Sequence, residues 1–173
     1  KGMKKIAEKQ NFLTPDVFET VISATPLVSV DLIIENSKNQ FLMGLRRNRP
    51  AQGIWFVPGG RIMKNEKIKD AVSRVISTEI GSGFKIEKIE QIGAFDHIYE
   101  DSIFPNDSDI GTHYVAIGFH ITIDTYPIIG PGDDQHTNLR WFDATEILEN
   151  ETVHNYSQNY IRKLAENSSV TPK

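Results

Sequence analysis

At 173 residues the chain suits one compact domain with a single core, and no apolar run in it approaches the length of a membrane span. It carries no cysteine, which excludes disulfides, thiolate catalysis and zinc–cysteine sites and makes a reducing cytoplasm the expected compartment. A formal charge of −4 argues against wholesale nucleic-acid binding, so neither nucleic acid nor membrane is an expected partner.

In chain order, residues 1–11 are expected to be a flexible extension of a single domain covering 1–173. Residues 14–25, "TPDVFETVISAT", read as a helix: Thr14 can cap it, Pro15 fits the first helical position and Asp16 suits the positive end. "LVSVDLIIE" at 27–35 and "QFLMGLR" at 40–46 read as strands joined by the turn "NSKN", a hairpin. "NRPAQG" is a loop, Trp55 to Val57 a short strand stopped by Pro58, and Gly59 and Gly60 form a turn. Across residues 67–80, Ile68, Val72, Val75 and Ile76 recur at helical spacing, and Gly81 is a natural stop. Residues 85–99 suggest one or two strands bent near Gly93, and 112–124 a long strand of period two. Residues 100–111 and 125–138 read as polar loops. "LRWF" is a short strand, and 143–149 and about 155–167 are closing helices. Hairpins stand where regular strand–helix–strand crossovers would be. That predicts a mixed α+β fold with α/β/α layers, not a doubly wound parallel sheet.

The arginines are unevenly spread. Arg46, Arg47, Arg49 and Arg61 bracket the Gly-Gly pair, and the planar guanidinium fork suits phosphate oxygens, so a local anion site is expected in an acidic protein. A Gly-Gly turn lets backbone approach a ligand closely. At the far end of the helix, Glu79 shares a face with Val72, Val75 and Ile76 and should be at least partly buried. A buried carboxylate must be paired or bind a cation. The helix by itself leaves both open: an ion pair to Arg74, or a metal ligand. Asp31 interrupts the apolar run of its strand, which an acid does only if partnered or exposed, and this makes it a site candidate on physical grounds.

Gly60, Glu66, Arg74, Glu79 and Gly81 fall at the spacing of the Nudix box, which this segment resembles. Val75 and Thr78 stand where the usual box has two more glutamates, and Ser82 where it has an apolar residue. "TPLVSVD" (25–31), "NRPAQGIWFVPGGR" (48–61), "THYV" (112–115) and "DDQH" followed by "LRW" (133–141) resemble the GDP-mannose mannosyl hydrolase branch of that family, whose box is similarly thinned.

The resemblance implies a Nudix-type α/β/α sandwich with a mixed central sheet, a homodimer, and a GDP-sugar as small-molecule substrate. It implies Mg2+ held by the Gly59 carbonyl and the side chains of Glu79 and Gln135. His136 is then the general base, in a loop able to fold back over the metal. Arg46, Arg61 and Tyr114 hold the diphosphate, and Asp31 and His97 lie beside the sugar. Arg74 is expected to orient Glu79, and Glu66 to brace loop and helix. Arg47, Arg49 and Arg140, with His113, His120 and His154, are expected at the surface or in packing. A pyrophosphatase releasing a nucleoside monophosphate, and an inactive nucleotide-sugar-binding module, are the competing expectations.

Overall fold

The structure is a computed structural model in which residues 13–79, 81, 84–104, 110–124 and 136–169 are described. The extension expected at 1–11 lies outside them. Among the described residues, four helices flank one mixed seven-stranded sheet. They are α1 (Pro15–Ala24), α2 (Ile68–Glu79), α3 (Ala144–Glu149) and α4 (Asn155–Ser169). The strands are β1 (Leu27–Glu35), β2 (Gln40–Arg46), β3 (Trp55–Phe56), β4 (Gly59–Arg61), β5 (Ile86–Tyr99), β6 (Thr112–Ile123) and β7 (His136–Asp143). This is the α/β/α layering that the pattern and the resemblance predict. No helix among the described residues is long and apolar enough to cross a membrane.

Strand β1 is the axis of the sheet. It runs parallel to β6 along its whole length, from Leu27 opposite Tyr114 to Glu35 opposite Thr122. Both of its faces are buried, which is why it reads as an almost unbroken apolar run. Val30, Leu32 and Ile34 pack with Val72, Val75 and Ile76 of α2. Ile33, one residue out of phase, packs with Phe142, Ile147 and Tyr160 on the side of α3 and α4. Asp31 belongs to that second face.

The hairpin of β1 and β2 opens beyond the point where Glu35 faces Phe41. Since β6 takes one edge of β1, the other is left for β4, which pairs Ser29 with Arg61 and Asp31 with Gly59. Likewise β7 takes one edge of β2, and β3 takes the other at Gly44 and Leu45. Residues 55–61 thus fill the wedge between the splayed strands. The Leu32 N–H donates to the Pro58 carbonyl at 2.7 Å and the Ile62 N–H to the Val28 carbonyl at 2.9 Å.

Three expectations change here. Gly59 and Gly60 are strand, not turn, and neither has a positive φ. Their missing Cβ atoms serve close packing: a Cβ on Gly59 would meet Asp31 Oδ1 at 2.8 Å and the Val30 carbonyl at 2.9 Å, and one on Gly60 would meet Val75 Cγ2 at 2.9 Å. Second, β7 starts at His136, inside the stretch expected as loop, because β2 offers a free edge as far as Arg46, which faces His136. Third, Thr14 stands at the cap position of α1 with extended backbone, but its side chain makes no capping bond. Strand β5 is a single strand whose register shifts between Gln91 and Gly93, the expected bend.

Gly59→Ala should lower unfolding stability by about 1–3 kcal/mol, because one of the two colliding atoms is a backbone oxygen that cannot rotate away. Urea melts of the variant against the parent measure it; an unchanged midpoint would refute the packing role.

Candidate active site

The wedge at the splay leaves a cavity of about 360 Å³, a size that suits a small organic ligand. Asp31 on β1, Arg46 at the end of β2, Gly59 and Arg61 on β4, His97 on β5 and Tyr114 on β6 all line it. Six residues expected to act together are therefore brought together. Phe18 of α1 joins them, its ring lying under the Arg61 guanidinium at 4.6 Å. Arg49, expected at the surface or in packing, also lines the cavity.

Arg46 is one of the cations in the cavity wall. Its guanidinium carbon lies 5.7 Å from the Phe56 ring centroid, and its buried Nε finds no hydrogen-bond partner among the described residues. Leaving a buried donor unsatisfied costs roughly 1–3 kcal/mol, so an anion in the cavity offers compensation. Tyr114 is pushed up by burial, so its hydroxyl stays protonated and can donate.

Asp31 is 6% exposed, and burial pushes its carboxyl up to about 6. Three groups work against that rise: the Tyr160 hydroxyl, which donates to Oδ2 at 2.9 Å, the Arg46 charge, and the Ser29 hydroxyl at 3.5 Å from Oδ1. His97 Nδ1 is 3.6 Å from Asp31 Oδ2, within reach of an ion pair. Burial, however, pushes His97 down to about 4, with His154 adding to it. At neutral pH the contact is a carboxylate beside a neutral imidazole, and it is not a salt bridge. The same imidazole stacks on Tyr156, with ring centroids 4.1 Å apart and planes 3° off parallel.

Tyr156, Tyr160 and the cavity-lining Tyr99 were not candidates from the sequence. A signal existed for two of them: Tyr156 and Tyr160 are four apart on α4, so they share a face.

Arg74 takes a different partner from the one expected. Its Nε donates to Glu66 Oε1 at 2.7 Å, and Nη2 donates to Glu66 Oε2 and to the Arg61 carbonyl, both at 2.9 Å. Glu66 also accepts from the Met63 N–H at 2.9 Å. The pair ties the loop after β4 to α2, so Glu66 braces as expected and Arg74 braces with it.

Glu79 is 6% exposed at the end of α2, buried as expected, but it does not line the cavity. Val75 is 2% exposed and packed against Gly60, whereas Thr78 is exposed and its hydroxyl donates back to the carbonyls of Arg74 and Val75. No group of three His, Cys, Asp or Glu gathers among the described residues. The donors available are thus a strand carbonyl at Gly59 and one buried carboxylate at Glu79. Such hard oxygens fit a divalent cation that fills its remaining positions with phosphate and water. Gln135 lies outside the described residues. His136 is described in its backbone alone, as the first residue of β7 opposite Arg46.

The remaining candidates sit in packing or at the surface. His113 and His120 pair with Asp96 at 3.3 Å and Glu35 at 2.7 Å. His154 packs on Phe56, with centroids at 5.2 Å. Arg140 lies over Phe142 at 3.7 Å and pairs with Glu146.

Comparison with known proteins agrees with this architecture. Residues 25–164 match the NUDIX domain family. The low-salt glycan biosynthesis protein Agl8 of Haloferax volcanii is 38% identical over 160 residues, covering 91% of this chain and 95% of that one. Among solved structures, a MutT protein from Methanosarcina mazei Go1 superposes with a TM-score of 0.61 at 26% identity, covering 83% of this chain and 97% of the other. The NUDIX domain of Shewanella oneidensis NrtR, solved with ADP ribose, superposes at 0.65 and 18% identity over 94% and 97%, a likeness of fold. Nudix hydrolases generally use divalent metals, which suits the oxygen donors at Gly59 and Glu79. The chain belongs to the Nudix family, whose box here keeps its bracing pair and one buried glutamate.

Proposed function

We propose that the protein hydrolyses GDP-mannose, and GDP-glucose as a second substrate, to GDP and free hexose, with water attacking the anomeric carbon and inverting it. The observation that carries this reading is the division of one cavity between cations and a buried acid: Arg46 and Arg61 face it from β2 and β4, and Asp31 from β1, the strand that pairs with β4. A diphosphate suits the arginines, whose donors stabilise charge growing on a leaving group. A carboxylate near the sugar favours a cationic, oxocarbenium-like transition state, with His97 beside it. Val75 in the core adds support, because phosphorus attack often recruits several acids and ions to prepare water, and here that position is apolar. The name of the Haloferax relative places that protein in glycan biosynthesis, a setting that consumes nucleotide sugars.

In the proposed reaction His136 takes a proton from water as its oxygen bonds to the anomeric carbon. The bond from that carbon to the diphosphate oxygen breaks, and its electron pair leaves with GDP. Arg46, Arg61 and the Tyr114 hydroxyl hold the departing diphosphate, and Asp31 and His97 flank the sugar. Bound Mg2+, with Gly59, Glu79 and Gln135 as its protein ligands, would supply charge neutralisation of the diphosphate. On the same reading residues 1–173 form one domain, and the working unit is a cytoplasmic homodimer.

Incubation with GDP-mannose and Mg2+ in ¹⁸O-labelled water tests the reaction. Label is expected in free mannose; label in a phosphate product would make the enzyme a pyrophosphatase, and no turnover would leave a binding module. His136→Gln should cut kcat by about 100-fold or more while sparing Mg2+ binding.

Asp31 gives a paired prediction. Its folded value is raised, so folding favours its protonated form, and the stability this confers is lost as pH rises through about 6. Asp31→Asn should therefore be more stable to unfolding than the parent at pH 8, by up to about 3 kcal/mol, and the gain should vanish near pH 3.5. The same variant should lose most of its activity, and in the parent kcat/KM should fall on the acid side near pH 6. A variant that is both active and no more stable would remove Asp31 from the site.

A further inference from the structure

Strand β5 lies at the end of the sheet order, with β6 along one side. An outer strand leaves backbone N–H and C=O groups open along its other edge and is easily displaced. At Ile98, next to His97, one side chain takes both groups. The Ile98 N–H donates to the Tyr156 hydroxyl at 2.9 Å, and that hydroxyl donates to the Ile98 carbonyl at 2.9 Å. The ring of the same tyrosine lies flat on the His97 imidazole.

One helical turn further on, the Tyr160 hydroxyl stands 3.3 Å from His97 Nε2 and 2.9 Å from Asp31 Oδ2. It has a single proton to give. An ionised carboxylate is the stronger and here the nearer acceptor, so the proton goes to Asp31. The hydroxyl oxygen is then free to accept, and Nε2–H of a neutral His97 is the donor that fits. Nδ1 is left as the ring's one acceptor, 3.6 Å from Asp31 and beyond hydrogen-bond distance.

We propose that Tyr156 and Tyr160 of α4 are the positioning residues of the site, Tyr156 fixing the edge strand and ring plane of His97 and Tyr160 fixing its tautomer together with the Asp31 carboxylate. The consequence for substrate rests on the nucleotide-sugar reading above: a neutral imidazole with a bare Nδ1 is the complement of a hexose hydroxyl, which can donate to it. Simple core filling is the bland alternative. Tyr160 is fully buried, and its ring meets Phe95 edge-on with centroids at 4.8 Å. Phenylalanine keeps that packing and removes the hydroxyl alone, so it separates the two roles.

The test uses Tyr156→Phe and Tyr160→Phe in the full chain. ¹⁵N shifts of the His97 ring at pH 8 should report the Nε2–H tautomer in the parent and a mixture in Tyr160→Phe. Amide exchange at Ile98 should quicken by about tenfold or more in Tyr156→Phe. With GDP-mannose, Tyr160→Phe should lose about 10- to 100-fold in kcat while KM stays within about threefold. An unchanged tautomer in Tyr160→Phe, or a changed one with parental kcat, overturns the role of Tyr160. Unchanged exchange at Ile98 overturns that of Tyr156. If the parent releases no mannose, the proposed reaction fails, and the nitrogen shifts and amide exchange still decide the positioning of His97.

Discussion

A carboxylate held inside a sheet has to be compensated on every side, and Asp31 imposes that demand on four separate parts of the chain. Its strand is covered on both faces, so most of its hydrogen bonds have to come from the protein. The compensation comes from a helix more than a hundred residues later, through Tyr160, from the end of the neighbouring strand, through Arg46, and from Ser29 two residues back. The fourth part is Gly59, whose missing side chain leaves room for the carboxylate. An apolar residue would pack here at less cost. An acid in its place makes sense where the charge faces a ligand, and Asp31 does line the cavity.

The box motif divides into two jobs at different places. Glu66 and Arg74 form a bidentate pair that also grips the Arg61 carbonyl, so one ion pair fixes both the loop before α2 and the backbone of an arginine in the cavity wall. Glu79 sits at the other end of the helix. Val75, between them, is where the motif becomes core: its methyl packs on Gly60, and a longer charged side chain there would have to leave the apolar layer between α2 and the sheet. The loss of that acid is thus built into the packing of the helix against β4.

Where a strand or helix had a one-dimensional signature, the sequence was enough. β1 and β2 appear at the residues their apolar runs mark, and α2 starts one residue after its pattern and is described as far as Glu79. Features defined by a partner were hidden. β4 has only three residues, two of them glycine, and exists because β1 has a free edge beside it. The first residues of β7 read as loop because His136, Thr137 and Asn138 carry no apolar alternation, yet Arg46 of β2 pairs with His136 there. The site was legible to the extent that a motif named its residues. The tyrosines of α4 belong to no motif, and their polar ends acquire meaning only when α4 lies against β5 and β1.

The two shifted groups also explain how the cavity stays electrically defined. Burial acts on Asp31 and His97 in opposite directions, raising the acid to about 6 and lowering the base to about 4. Protons gained by one on folding are roughly offset by those refused by the other, so the pair puts little net pH dependence on folding between those values. At neutral pH the outcome is one negative charge on Asp31 and a neutral ring beside it. A protonated His97 would have cancelled the carboxylate. Arg46 and Arg61 on β2 and β4 line the same cavity as this carboxylate, so cationic donors and an acid share the space proposed to hold the diphosphate and the sugar.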